Sequence, residues 1–177
     1  MLQLIGDILR LSRLDEGVCG EFREIDLLEV AKRCRDKLET LAGAQRVTVA
    51  AQGEPVCVRG DEGLLEEMLT NLIENGIKYN HPGGSVTIRT GTQDAKAYVS
   101  VIDTGMGIPQ EEQGKVFERF YRVDKSRSKA TGGTGLGLSI VKHGAQIHGA
   151  TISLKSTVGV GTTVRLMWPA PNQPLQR

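Results

Sequence analysis

The chain has 177 residues, of which 39% are hydrophobic and 24% are charged, enough for one globular domain with a buried core. Its net charge of +1 gives no overall field that favours nucleic acid or a membrane surface, so neither is expected as a direct partner. Three scattered cysteines argue against a disulfide framework, and no apolar run approaches the roughly 20 residues that cross a bilayer. A reducing cytosol is therefore the expected compartment.

Along the chain, helical and extended patterns follow one another. Residues 2–14 carry apolar side chains at helical spacing, and Asp15-Glu16-Gly17 predicts the end of this helix and a linker. Further helices are predicted over 27–42, 62–79 and 135–148, with a short helical turn over 114–121. Extended segments are predicted over 21–26, 46–51, 56–59, 85–91, 96–103, 150–156 and 161–168, with a medium hairpin loop around Gln93 and Asp94.

The order of these elements predicts the fold class. The strands come in sequence-adjacent pairs that three helices interrupt. This order favours an α+β fold, a two-layer α/β sandwich in which a mixed sheet of about five strands is covered by three helices. The connection over residues 104–134 is rich in glycine and charge, and so long a connection inside a compact domain is usually functional.

The helix over 62–79 carries polar side chains beside its apolar face. Asn71, Asn75 and Lys78 follow one another at i, i+4 and i+7, so they lie on one line along the helix. Amide oxygens can ligate a hard cation such as Mg²⁺, and a lysine supplies positive charge to phosphate. The same spacing also fits the polar margin of an ordinary amphipathic helix.

Two glycine-containing segments extend this pattern. In the segment Asp103-Thr104-Gly105-Met106-Gly107 a strand ends on a carboxylate, which can accept a hydrogen bond from an exocyclic amine. The same residues also fit a simple turn after a strand. In the segment TGGTGLGLSIV, from residue 131 to 141, glycines precede a helix start whose exposed amides form an anion site. This segment lacks the Gly-Lys-Ser/Thr of a Walker loop and the third glycine of the dinucleotide fingerprint.

A basic segment, residues 115–129, lies between these two motifs. It holds six Lys or Arg residues against Glu118 and Asp124, which suits a mobile cover for a triphosphate or, equally, a solvated charge run. Phe117, Phe120 and Tyr121 are its expected apolar anchors.

Taken in order, these motifs resemble a known family. NLIENGIKYN, DTGMGIP, VFERFYRVD and GGTGLGLSIVK are similar to the N box, first glycine box, F box and second glycine box of sensor histidine kinases, and GVGTTVRLMWP resembles that family's closing hairpin. The resemblance covers residues 1–169. It implies the Bergerat fold shared with the gyrase, Hsp90 and MutL ATPases (the GHKL superfamily), and it implies binding of ATP with Mg²⁺.

The resemblance also implies roles for individual residues. Asn75 corresponds to the Mg²⁺ ligand, Asn71 and Lys78 to residues near the phosphates, Tyr79 to a residue that flanks adenine, and Arg122 to an arginine that reaches the phosphates. Of these, Asn71, Asn75, Lys78 and Arg122 form the implied catalytic set.

A carboxylate and the glycine segments complete the implied ATP-binding set. Asp103 corresponds to the group that binds the adenine amine, with Gly105 and Gly107 letting the base approach. The remaining members, around the base and the phosphates, are Ile108, Tyr121, Gly133, Thr134, Gly135, Leu136, Gly137 and Leu138.

The resemblance favours phosphoryl transfer over hydrolysis. Hydrolysing relatives carry a water-activating Glu at the position of Asn71, and Asn cannot act as a general base. The family's acceptor is a histidine on an upstream dimerisation helix, and His81, His143 and His148 do not resemble it. Because residues 4–17 resemble the end of the second dimerisation helix, the chain is expected to be the C-terminal part of a longer kinase.

These expectations define the domains, partners and location. Residues 1–16 would be the remnant of a dimerisation helix with its linker, 17–169 the catalytic ATP-binding domain, and 170–177 a flexible tail. The expected partners are the dimerisation and phosphoacceptor domain and a response regulator receiver domain. This part alone is expected to be monomeric and cytoplasmic, without direct membrane contact, and the parent kinase to be a homodimer anchored in the cell membrane.

Two alternatives differ in what happens to the phosphate. An anti-sigma-type serine kinase of the same superfamily is one, and the F box and the helix over 2–14 argue against it. The other is a regulatory module that binds nucleotide and transfers nothing.

Overall fold

The computed structural model describes residues 2–17, 19–123 and 133–170. Its helices are α1 (Leu2–Asp15), α2 (Leu27–Lys37), α3 (Glu39–Gln45), α4 (Glu62–Lys78), α5 (Gln110–Gln113) and α6 (Gly137–Ile147). Its strands are β1 (Arg23–Asp26), β2 (Thr48–Gly53), β3 (Cys57–Gly60), β4 (Ser85–Gln93), β5 (Lys96–Asp103), β6 (Thr151–Thr157) and β7 (Gly161–Met167). None of the helices within these ranges is long and apolar enough to cross a membrane.

Five strands form the main sheet, in the order β2-β4-β5-β7-β6. The β2–β4 pair is parallel and the other three pairs are antiparallel, so the sheet is mixed. Strands β1 and β3 pair separately as a two-stranded antiparallel sheet. The five-stranded mixed sheet with its helices confirms the α+β sandwich expected from the sequence.

The core lies between the main sheet and helices α2, α4 and α6. Alternate residues of β4 and β5, among them Val86, Ile88, Val99 and Val101, are buried beneath these helices. This alternation follows from the two-residue period of a strand, which sends every second side chain to the same face. Helix α1 packs on the outer side of α6, where it buries Leu11 and Leu14.

Three local predictions are wrong in detail. The helix expected over 27–42 is divided at Leu38, whose amide is shared between the carbonyls of Cys34 and Arg35 and whose backbone (φ −99°, ψ 4°) leaves the helical region. The short helical turn expected over 114–121 is instead α5, which lies four residues earlier and is followed by turns. Leu38 is buried at the first break, and Val116 is buried in the turns that follow α5.

The hairpin between β4 and β5, the third case, is tighter than expected. Gln93 pairs with Lys96, so only Asp94 and Ala95 form the turn, and both have positive φ. This is the geometry of a two-residue hairpin turn whose twist matches that of the strands. Its second residue is usually Gly rather than Ala, which removes the local signal for so short a turn.

Candidate active site

Helix α4 supplies the polar wall of a cavity beside the sheet. The helix begins at Asp61, whose side-chain Oδ1 accepts a hydrogen bond from the amide of Leu64 at 3.1 Å. Its apolar side is anchored in the core, where Met68 and Ile73 are fully buried. The orientation of the polar margin is therefore fixed by packing on the opposite side of the helix.

Most of the predicted site residues meet in this cavity, here called the site cavity. It is lined by Asn71, Asn75, Lys78, Tyr79, Asp103, Gly107, Ile108, Tyr121, Arg122, Gly133, Thr134, Gly135, Gly137 and Leu138. Two predicted residues are absent from the lining. Leu136 is fully buried in the core, and Gly105 is buried within the turn that follows β5.

The side chains of α4 are already partly paired. Asn71 Nδ2 donates to the carbonyl of Glu67 at 3.0 Å, which leaves its Oδ1 close to Gly137. Lys78 Nζ forms an ion pair with Glu74 Oε2 at 2.9 Å, one helical turn earlier. These contacts hold the polar side chains along the cavity wall in defined positions.

One end of the site cavity is mostly apolar and holds a single carboxylate. Asp103 Oδ1 accepts hydrogen bonds from the backbone amides of Gly105 at 2.8 Å and Thr162 at 3.2 Å. Burial raises the pKa of this carboxyl group, and the two amide donors only partly offset that effect. Both amide hydrogen bonds reach Oδ1, so Oδ2 is the oxygen available to a ligand. The apolar neighbours that line this end are Val101, Met106, Ile108, Leu154 and Val164.

The two glycines after Asp103 make room for protein backbone. A Cβ at Gly105 would lie 2.6 Å from the carbonyl oxygen of Tyr79, and one at Gly107, where φ is +71°, would lie 2.2 Å from the carbonyl oxygen of Thr157. The turn is therefore pressed between the end of α4 and the β6–β7 hairpin. Close packing against backbone therefore favours glycine at both positions, whether or not a ligand binds.

The other end of the site cavity is formed by the glycine-rich loop before α6. The amide of Phe120 donates to the carbonyl of Gly135 at 2.9 Å, which joins the loop to the segment before Arg122. Helix α6 begins at Gly137 and carries no acidic residue in its first turn, so its positive end faces the cavity uncompensated by its own side chains. Such a helix start is a general anion site.

Aromatic and cationic groups border this loop. A Cβ added to Gly133 would lie 3.7 Å from both Arg122 Nη2 and Tyr79 Oη, so these two groups lie beside the loop. Phe120, expected as an apolar anchor, is 59% exposed, whereas Val116 is buried. The predicted cations Lys125, Arg127 and Lys129 lie outside the described residues.

The comparison with protein families agrees with this geometry. Residues 60–172 match the family described as histidine kinase-, DNA gyrase B-, and HSP90-like ATPase, which is more than half of the chain. The chain belongs to this ATPase family. It is therefore an ATP-binding domain of the type found in sensor histidine kinases, as the four motifs indicate.

Individual relatives place the ATPase domain within longer proteins. The chain is 36% identical over 172 residues to the sensor histidine kinase YkoH of Bacillus subtilis (strain 168), covering 97% of this chain and 37% of YkoH. Among solved structures, a mycobacterial sensor histidine kinase, MprB, is 30% identical with a TM-score of 0.71, covering 84% of this chain and 97% of that one. Full-length ShkA in complex with AMPPNP is 25% identical with a TM-score of 0.82, covering 95% of this chain and 35% of that one.

Two polar residues of the site cavity were missed by sequence reasoning. Asp7 of α1 lines the cavity, and its Oδ2 accepts a hydrogen bond from Thr134 Oγ1 at 2.7 Å. No local pattern marks Asp7, because its partner lies 127 residues away. Thr162, which holds Asp103, was also missed, although it lies in the predicted closing hairpin.

Proposed function

We propose that this chain is the catalytic domain of a sensor histidine kinase, which holds ATP with Mg²⁺ and presents the γ-phosphate to a histidine on a dimerisation domain. The observation that carries the proposal is the arrangement of one cavity with a carboxylate in an apolar end and a helix start in the other. Asn71, Asn75 and Lys78 lie along the wall between them.

The apolar end suits a purine base. Its aliphatic side chains would cover the faces of the base, and Asp103 Oδ2 would accept a hydrogen bond from the exocyclic amine. The two backbone amides on Oδ1 fix the carboxylate in the plane it needs for this contact. Adenine is favoured over guanine, because guanine has a carbonyl oxygen where adenine has the amine.

The opposite end suits the triphosphate. The amides of Gly133, Gly135 and Gly137 would bind phosphate oxygens at the positive end of α6. Lys78 and Arg122, which also line the cavity, would add positive charge. Positioning and charge stabilisation of this kind are the main protein contributions to phosphoryl transfer.

A magnesium ion fits between these groups. Asn75 would supply an amide oxygen, and Mg²⁺ commonly takes one or two protein oxygens together with phosphate oxygens and water. The described residues contain no cluster of three or more His, Cys, Asp or Glu side chains suited to a metal. Asn75 with phosphate oxygens and water would be a sparse donor set of this type. The ion would neutralise charge on the β- and γ-phosphates.

The acceptor is expected to come from elsewhere in the kinase. No histidine is among the described residues that line the site cavity, and Asn71 cannot activate water as a general base. We expect residues 1–16 to be the end of a dimerisation helix, 17–169 the catalytic domain and 170–177 a flexible tail. The partners would be the dimerisation domain and a response regulator receiver domain, in a homodimeric kinase whose catalytic part faces the cytoplasm.

Calorimetry and a transfer assay test this proposal in sequence. ATP·Mg²⁺ is titrated into the wild type, Asn75→Ala, Asp103→Ala and, as a control, Gln146→Ala, an exposed amide on α6 outside the cavity. We expect both site variants to lose about 1 kcal/mol or more of binding free energy and the control to match the wild type. The chain is then mixed with a dimerisation segment that carries the histidine and with ATP labelled at the γ-phosphate. ATP binding without label on that segment would contradict the kinase assignment.

A further inference from the structure

Helix α1 brings a carboxylate to the phosphate end of the site cavity. Asp7 accepts the hydroxyl hydrogen of Thr134 at 2.7 Å, and Thr134 lies between two of the glycines at the start of α6. A phosphate oxygen bound to this loop would use the same hydroxyl as a donor. Asp7 and a triphosphate bound there would compete for one hydrogen bond and repel each other by charge.

The position of Asp7 is determined by a docked helix. Further along α1, Arg10 Nε pairs with Glu67 Oε2 of α4 at 2.6 Å. Near its end, Asp15 accepts hydrogen bonds from Arg119 Nη2 at 2.6 and 2.7 Å. That hydrogen bond lowers the pKa of Asp15. With Leu11 and Leu14 buried as well, α1 is held on the domain from Asp7 to Asp15.

The charges that line the cavity make Asp7 unfavourable for a polyanion. Among the described residues, the lining contains three carboxylates, Asp7, Glu74 and Asp103, and only two cations, Lys78 and Arg122. Glu74 is paired with Lys78, and Asp103 lies at the apolar end. Asp7 is the carboxylate at the glycine-rich loop, where its hydrogen-bond partner is a hydroxyl.

We propose that Asp7 is a specificity determinant that opposes the triphosphate and so couples ATP binding to undocking of α1. The inference rests on the proposed nucleotide site. Its consequence is a loss of binding free energy that grows with the charge of the phosphate tail. The loss is small for adenosine, larger for ADP and largest for ATP. By linkage, a ligand that is disfavoured by docked α1 must weaken the docking by the same factor.

The test compares two carboxylate-to-amide substitutions in the α1 segment. Asp7→Asn keeps an oxygen that can accept from Thr134 and removes the charge, whereas Glu16→Gln removes a charge from an exposed residue in the turn after α1, outside the site cavity. Calorimetry with adenosine, ADP and ATP, each with Mg²⁺, is run on both variants and the wild type. For Asp7→Asn we expect ATP to bind about five- to tenfold more tightly, ADP to gain less, and adenosine to change by less than about twofold. Glu16→Gln should leave the ATP to ADP affinity ratio unchanged.

Three results would overturn the inference. ATP affinity could fall in Asp7→Asn, which would mean that Asp7 assists ATP binding. The ATP to ADP affinity ratio could stay at the wild-type value. Or Glu16→Gln could shift that ratio equally, which would assign the effect to net charge and not to the position of Asp7. A wild type that binds none of the three ligands would instead contradict the proposed nucleotide site.

Hydrogen exchange of the wild type provides a measurement without any substitution. Amides of α1 should exchange faster with saturating ATP than without it, with ADP in between. Slower or unchanged exchange with ATP would contradict the coupling.

Discussion

The backbone amide of Asp61 donates a hydrogen bond to Nε2 of His148 over 3.0 Å, although 87 residues separate the two in sequence. Nε2 is therefore an acceptor, and the proton resides on Nδ1, which lies 2.7 Å from the carbonyl of Gly144. The imidazole is buried and stacks on Phe22 with ring centroids 5.3 Å apart. The end of α6 thus holds the residue at which α4 begins, and both helices carry the site.

This contact predicts that stability falls in mild acid. Burial lowers the pKa of His148, and the hydrogen bond to the Gly144 carbonyl and the charge of Asp61 only partly offset this. Because the folded pKa lies below the unfolded value of about 6.5, the unfolded chain binds more protons between the two values. The free energy of unfolding should therefore decrease as the pH falls below about 6.5 towards the folded pKa, by at most about 1.4 kcal/mol per pH unit from this group.

Urea unfolding between pH 7.5 and pH 5 measures the effect. The slope of the unfolding free energy against urea concentration is typically about 1 to 3 kcal/mol/M for a small domain. His148→Gln keeps an acceptor for the Asp61 amide and removes the titration, so its stability should depend less steeply on pH. His81→Gln, at an exposed histidine, is the control and should retain the wild-type slope. Equal slopes in all three proteins would refute the role of His148.

The contact between α4 and α6 predicts a steric cost at Gly144. A Cβ there would lie 2.4 Å from Met68 Sδ, and Met68 is fully buried. Gly144→Ala should therefore lower the free energy of unfolding by about 1 to 3 kcal/mol, even though Ala is the better helix former. In a Met68→Ala background the same substitution should be neutral or stabilising, and a double-mutant cycle measures the difference. An equal cost in both backgrounds would remove Met68 as the cause.

At the other end of α6, a substitution at Gly137 should act on binding. Its Cβ would lie 2.7 Å from Asn71 Oδ1, and the Asn71 amide is tied to Glu67, so the side chain cannot simply swing away. Gly137→Ala should weaken ATP binding about tenfold while urea unfolding stays within about 1 kcal/mol of the wild type. Gly43→Ala, at a helical glycine with nothing within 4 Å, should gain up to about 1 kcal/mol of stability and bind ATP normally. If calorimetry gave both variants the wild-type affinity, the contact with Asn71 would have no bearing on binding.

Local sequence patterns account for most of the main sheet and for α4 and α6. The apolar spacing and the cap at Asp61 lie within α4 itself, and the site residues Asp103 and Gly137 belong to short motifs. Prediction from sequence fails where the deciding partner is distant. Asp7 meets Thr134 only after folding, and the break at Leu38 contains neither Gly nor Pro. The turn at Asp94 and Ala95 is determined by the register of two strands, and its two residues alone do not predict it.

The arrangement around Asp103 predicts which base the cavity accepts after an Asp→Asn substitution. Backbone amides hold Oδ1, so in Asp103→Asn the amide oxygen of the new side chain should take that place and its NH₂ should take the place of Oδ2. An acceptor facing the base becomes a donor. ATP affinity should fall about 10- to 100-fold, since an amine would meet an amine, a mismatch worth about 1 to 3 kcal/mol.

Inosine triphosphate, which has a carbonyl oxygen in place of the adenine amine, separates this effect from general damage. Calorimetry should give the Asp103→Asn variant a preference for inosine triphosphate over ATP, opposite to that of the wild type. Burial raises the pKa of Asp103, so replacing it by a neutral amide should leave urea stability equal or higher. Asp26→Asn is the matched control, because Asp26 caps α2 outside the cavity and Asn caps a helix equally well. Loss of both nucleotides in Asp103→Asn, with stability retained, would mean that Asp103 binds something other than the base.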